Sequence, residues 1–221
     1  MIKAVIFDMD GVLIDSEKYQ CKAFYILFHN HRLKYNKKDF KWVGKTSKQN
    51  IEYILKENNS NLNINKLVKE REDIYFSIIK NKIKPRSGII TLLKFLRNKG
   101  IKIGLASQSK RKNILYVLSL LNLVKYFDSV VSSEDVKHSK PNPDIYLQSC
   151  KKLNVEAREC IAIEDSPLGI NSALSAGINC LALLTEYYNK KDLKKADFIF
   201  KKIGVDKIKN LIYNQNVQKG D

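Results

Sequence analysis

Residues 2–11 read IKAVIFDMDG, and this stretch decides the fold. The run IKAVIF is apolar but for Lys3 and stops at Asp8, as a buried parallel strand does when its carboxyl end opens into a site. Similar runs recur at 101–106 (IKIGLA), 129–132 (SVVS), 161–163 (IAI), 179–184 (NCLALL) and 197–200 (DFIF). Between them, 88–99, 111–123, 144–152 and 168–176 carry apolar residues at helical spacing. Strand alternating with helix predicts an α/β architecture, a parallel sheet wrapped on both faces.

The segment 15–84 breaks that rhythm. It offers helical patterns at 17–29, 50–57 and 65–80 and no convincing strand, so it reads as an all-helical insertion, with 1–14 and 85–221 forming the sheet domain. Gly11 precedes its entry, and Pro85, Ser87 and Gly88 mark its exit. The tail after Tyr213 is polar and expected to fray.

Composition narrows the function. With 221 residues, 44% hydrophobic and 29% charged, the chain is long enough for a full core and has ordinary globular values. No apolar run reaches the ~18 residues of a spanning helix, and Asp8 interrupts the opening before a signal-peptide core forms. A cytoplasmic protein without membrane contact is expected. The four cysteines are far apart without a CxxC pair, which gives neither a zinc site nor a disulfide framework. The net charge of +17 would suit an anionic partner, but it comes from lysines scattered through nearly every helix, without a nucleic-acid-binding motif. No specific nucleic-acid partner is expected, and the expected state is a monomer.

Four motifs carry chemistry. Asp8 and Asp10 end the first strand with a spacing that aims both carboxylates at one pocket, and Gly11 permits a tight turn. Their repulsion would be relieved by a divalent cation and an incoming phosphate, although DMDG alone reads equally well as an acidic turn. In ASQSK, Ser107 ends a strand just before a helix whose free N–H groups suit a phosphate, or simply caps that helix. In HSKPNPDIY, Lys140 sits on a stiff turn as a point charge, or is an ordinary surface lysine. In IAIEDSPLG, Glu164 and Asp165 end another strand, where they add carboxylates to the site or merely favour the following helix N-terminus. All four lie at carboxyl ends of predicted strands, where open α/β sheets bind ligands.

Together, IFDMDGVLIDSE, LASQSK, SKPNPDIY and IEDSPLGINSALSAGI resemble the four ordered motifs of the haloacid dehalogenase superfamily, in the helical-cap branch that includes β-phosphoglucomutases and phosphosugar phosphatases. The resemblance covers about residues 1–200. It implies a Rossmann-like, doubly wound core with a cap inserted after the first strand. It also implies that Asp8 is the nucleophile and Asp10 the general acid and base. Mg²⁺ would be held by Asp8, the backbone carbonyl of Asp10 and Asp165, with Glu164 as ligand or close neighbour. Ser107, Gln108 and Lys140 would grip phosphoryl oxygens, and the peptide before Pro141 would be cis. The presence of Asp10 favours phosphoryl transfer, because the dehalogenase branch lacks this second aspartate and halide release needs no proton.

The cap separates a phosphatase from a mutase. Where β-phosphoglucomutases carry His, Arg and Lys in the cap, this sequence has Gln20, Ser47 and Ser77, which favours the phosphatase. The resemblance implies a small phosphorylated sugar or sugar-like metabolite as partner, with the cap residues Tyr19, Lys45, Thr46, Lys48 and Asn50 setting its identity and Lys45, Lys48 or Lys80 able to supply a second phosphate contact. The stretch GKTS at 44–47 is not a P-loop, because Asp39 stands where that motif needs glycine. His29 and His31 are read as solvated rather than metal-binding, and Trp42 as packing.

Overall fold

The first strand, β1 (Ala4–Phe7), is buried at all four residues, so both of its faces must be covered. The computed structural model describes residues 1–36 and 46–213. Lys45, Trp42 and the polar tail after Tyr213 lie outside the described residues. Two compact units divide the chain, one formed by Met1–Asp15 with Lys84–Asp221 and the other by Ser16–Ile83.

In the second unit come α1 (Glu17–Asn30), α2 (Ser47–Glu57) and α3 (Ile64–Ile79), with no strand among the described residues. Phe24, Leu27 and Phe28 of α1, Ile51, Ile54 and Leu55 of α2, and Leu67 of α3 give this unit an apolar core of its own. α2 begins at Ser47, earlier than the apolar pattern predicts, because Thr46 and Gln49 form a reciprocal capping box. The Gln49 N–H donates to Thr46 Oγ1 at 3.2 Å, and the Thr46 N–H donates to Gln49 Oε1 at 2.8 Å.

The first unit continues with α4 (Ile89–Asn98), β2 (Lys102–Ala106), α5 (Arg111–Leu120), β3 (Ser129–Val131) and α6 (Asp144–Leu153). It ends with β4 (Cys160–Glu164), α7 (Pro167–Ser175), β5 (Asn179–Leu183), β6 (Phe198–Phe200) and α8 (Val205–Tyr213). The strands form a six-stranded sheet in the order β3-β2-β1-β4-β5-β6. All pairs are parallel, with Ala4 in register with Lys102 on one side and Cys160 on the other. This is the doubly wound order, whose direction reverses at β1. On one face, Ile145, Tyr146, Cys150 and Leu153 of α6 and Ile170 and Ala173 of α7 pack on Ala4, Ile6, Cys160 and Ala162. On the other, α4 buries Ile89, Leu92, Leu93 and Leu96 at helical spacing and packs against β2. Among the described residues, no helix is long and apolar enough to cross a membrane.

Candidate active site

The carboxyl ends of β1, β2 and β4 converge because these three strands are neighbours in the sheet. Asp8 follows β1 directly, its N–H donating to the carbonyl of Ile163 at 3.0 Å, so the sheet ladder continues through the residue that carries the carboxylate. The chain then turns at once. Gly11 has φ +85 and donates its N–H to the carbonyl of Ile14 at 2.8 Å. A Cβ at this position would stand 1.9 Å from Asp165 Oδ2, so glycine is required both by the turn and by the carboxylate packed against it.

Lys140 is the hub of the site. Its ammonium donates to Asp8 Oδ1 at 2.6 Å, to Glu164 Oε1 at 2.6 Å and to the carbonyl of Ala106 at 3.0 Å. The residue is 7% exposed, and the Lys140–Pro141 peptide that holds it is cis. Glu164 is fully buried and takes donors on both oxygens. Tyr146 donates its hydroxyl to Oε1 at 2.8 Å, while the Asp165 N–H and the Ser166 hydroxyl each approach Oε2 at 3.2 Å. Ser166 also caps α7 by accepting from the Gly169 N–H, and Pro167 follows in the first turn. Gly169 leaves room for Glu164, since a Cβ there would lie 1.9 Å from Oε1.

At the end of β2, Ser107 is buried and its hydroxyl oxygen accepts from the Ser109 N–H at 3.1 Å. Ser109 in turn donates its hydroxyl to Asp10 Oδ2 at 3.4 Å. Gln108 is exposed, and its amide donates to the Lys140 carbonyl at 3.2 Å. Asp8, Asp10, Ser107, Gln108, Lys140, Glu164 and Asp165 therefore form one connected neighbourhood within the first unit.

The electrostatics follow from burial and charge count. Burial pushes the Asp8 carboxyl up to about 8, with Lys140 pulling it back and Glu164 and Asp10 adding to the push. Burial also works against the Lys140 charge, but Asp8 and Glu164 outweigh it and hold the ammonium above its ordinary value. The Tyr146 hydroxyl is driven well above its usual range, first by burial and then by Glu164, so it stays a donor. Asp8, Glu164 and Asp165 each offer one carboxylate oxygen, all within 4.8 Å of one another. Three carboxylates outnumber the Lys140 ammonium. A hard dication with oxygen ligands fits this donor set.

The architecture and the motif order recur in known proteins. The haloacid dehalogenase-like hydrolase family matches residues 5–183. The chain belongs to this family. Within the hydrolases, the chain is 33% identical over 181 residues to the phosphorylated carbohydrates phosphatase of Thermotoga maritima, covering 80% of this chain and 82% of that one. It is 31% identical over 185 residues to the β-phosphoglucomutase of Bacillus subtilis, covering 80% and 81% of the two chains. The crystal structure of a family IA hydrolase from Entamoeba histolytica superposes with a TM-score of 0.84 at 29% identity, covering 96% of this chain and 100% of that one.

In the hydrolase's helical unit, Thr46 serves as the cap of α2, and Lys48 is an exposed partner of Glu52 at 3.8 Å. Asn50 is buried. The Gln20 side chain accepts from Arg71, and the Ser77 hydroxyl donates back to the Ile74 carbonyl at 2.8 Å. His31 pairs with Glu70 at 2.8 Å, which accounts for one member of the histidine pair. Tyr146, Ser109 and Ser166 join the site without having been singled out by the sequence. A tyrosine two residues after Asp144 on an apolar helix face reads as core, and it is core; its hydroxyl reaches Glu164 only once α6 packs on the sheet.

Proposed function

We propose that this hydrolase is a Mg²⁺-dependent phosphatase that acts on a small phosphorylated sugar or sugar-like metabolite through an aspartyl-phosphate on Asp8. The observation that carries the reading is the Lys140 ammonium bridging Asp8 and Glu164 beside Ser107 and Asp165 at adjoining strand ends. Asp8, the Asp10 carbonyl and Asp165, with Glu164 behind them, would hold Mg²⁺, which supplies charge neutralisation for carboxylate and phosphoryl oxygens together.

The Asp8 carboxylate attacks phosphorus in line, and the bond from phosphorus to the sugar oxygen breaks. Asp10 gives its proton to that leaving oxygen and later takes one from the water that attacks the aspartyl-phosphate. That second attack breaks the bond between phosphorus and Asp8 and frees inorganic phosphate. The Lys140 ammonium, the Ser107 hydroxyl hydrogen and the Gln108 amide hold phosphoryl oxygens as charge builds on them. The Ser109 hydroxyl holds Asp10 Oδ2 toward the site. The unit Ser16–Ile83 serves as the cap, with Lys45, Thr46 and Lys48 on the substrate side, and the protein works as a cytoplasmic monomer.

The test is phosphate release with Mg²⁺ and with chelator from aryl, hexose, pentose and nucleoside phosphates, with Asp8→Asn alongside. Release that needs Mg²⁺ and vanishes in Asp8→Asn is the expected result, and release that survives the substitution would overturn it. The mutase relative supports a second reading, in which the phosphoryl group returns to another hydroxyl of the same sugar. Conversion of β-glucose 1-phosphate to glucose 6-phosphate with little free phosphate would favour it. Against it stand Gln20 and Ser77, whose side chains are taken up within the helical unit.

A further inference from the structure

At the opposite end of β4 from Asp165, two cysteines that are ten residues apart in sequence meet inside the protein. Cys150 in the last turns of α6 and Cys160 at the start of β4 bring their sulfurs to 3.6 Å, one thiol donating to the other. Cys160 also has the Glu156 carbonyl as an acceptor at 3.4 Å. Both side chains are buried, at 5% and 0% exposure. The chain next to them is not: Lys151 and Lys152 in the last turn of α6, and Asn154, Glu156 and Arg158 in the connection to β4, are exposed.

We propose that Cys150 and Cys160 form a peroxide-oxidisable dithiol, a modification site distinct from the phosphate site, that closes to an intrachain disulfide and reopens with thiol reductant. Closing the bond needs the sulfurs to approach from their present separation to about 2 Å. The exposed loop and the last turn of α6, which ends at Asn154 in the left-handed conformation, are the parts that give.

The hydrogen bond from Cys160 lowers the Cys150 thiol pKa, and Cys160 itself is raised, first by its bond to Cys150 and then by burial. Cys150, the less deeply buried of the two, is the nucleophile and Cys160 the resolving thiol. The Cys150 thiolate attacks one peroxide oxygen and breaks the O–O bond, giving Cys150 sulfenic acid and, with its own released proton, water. The Cys160 sulfur then attacks the Cys150 sulfur and the S–S bond forms. The departing hydroxide takes the Cys160 proton as a second water. Hydrogen peroxide is reduced and two thiols are oxidised.

The position gives the bond a structural meaning. Cys150 lies one helical turn beyond Tyr146 on α6, and Cys160 lies on the same face of β4 as Glu164. Tyr146 and Glu164 already join α6 to β4 at the end that carries the active site. A disulfide would join the same two elements at the other end.

The experiment treats the folded protein with a small excess of hydrogen peroxide, quenches it, and titrates thiols in denaturant. The thiol titre is expected to fall from four per chain to two, the intact mass to fall by two hydrogens, and dithiothreitol to restore both. Peptide mapping of the unaltered sequence should find the 150 and 160 segments linked, while Cys150→Ala and Cys160→Ala abolish the linkage and Cys21→Ser retains it. A titre that stays at four, oxygen added to single cysteines without linkage, or a link that involves Cys21 or Cys180 would overturn the proposal.

Discussion

Among the described residues, each of the two units buries one cation to the same degree, and the two have different surroundings. Lys140 in the sheet unit and Arg71 in the helical unit are both 7% exposed. Lys140 meets the carboxylates of Asp8 and Glu164, with the Tyr146 ring centroid 5.2 Å from its nitrogen. Arg71 lies over the rings of Phe24 and Tyr75, at 4.4 Å and 5.4 Å, and donates to the side chain and carbonyl of Gln20. Facing carboxylates make the cation one pole of a buried charge cluster. Ring faces and an amide make a cation into packing material that fixes one helix on another.

The largest effect separates the two cations directly. Lys140→Met should leave Asp8 and Glu164 facing each other without compensation, costing about 3–5 kcal/mol of stability. Phosphate release by the folded remainder should fall by about 10²-fold or more. Thermal denaturation and a steady-state assay read the two losses. Arg71→Met should instead lose stability alone, about 1–3 kcal/mol, with kcat per folded molecule on an aryl phosphate within about threefold of the parent. If Arg71→Met lowered kcat as much as Lys140→Met, the contrast between the cations would fail.

Tyr146→Phe sharpens the contrast on the Lys140 side, since it keeps the ring beneath the ammonium and removes only the donor to Glu164. Activity or apparent Mg²⁺ affinity should drop about tenfold or more, which follows from the proposed place of Glu164 at the metal. A metal titration of the rate would show it, and an unchanged curve would reduce Tyr146 to packing.

The smallest effect concerns a third, more exposed cluster. Asp135 accepts from Arg111 and Lys152 at 2.7 Å and 2.9 Å and from the Ser132 hydroxyl at 2.6 Å. Burial would raise its pKa, but Ser132, Lys152 and Arg111 outweigh this and hold it well below the usual carboxylate range. Its stabilising contribution is therefore present above the ordinary pKa of about 4 and is lost as pH falls through the folded value. Because the cations are partly solvated, Asp135→Asn should cost within about 1 kcal/mol at neutral pH. The gap between variant and parent in urea unfolding should close below about pH 4.

The sheet and most of the site were legible because the relevant signals are local. An apolar run that ends in an acid, as at Asp8 and Asp165, marks a strand end whatever lies next to it. Lys140 was legible as a lysine on a stiff turn, but not as the hub, since its partner Asp8 is 132 residues away. The approach of Gly11 to Asp165, the Tyr146 hydroxyl on Glu164 and the meeting of Cys150 with Cys160 are likewise products of packing. Thr46 is a different case. The spacing from Thr46 to Gln49 is a capping signal written in the sequence, and it starts α2 three residues before the apolar pattern at 50–57 does.

The sheet order has a consequence for biosynthesis. β1 sits between β2 and β4, whose residues 102 and 160 lie opposite Ala4. At ~5–20 residues per second, β4 follows β1 from the ribosome by on the order of ten seconds. Until β2 is made the AVIF strand has neither permanent neighbour, while the helical segment with its separate core is made, and until β4 follows it has only one. The strand that leads into Asp8 is thus exposed to aggregation while it waits for its two neighbours.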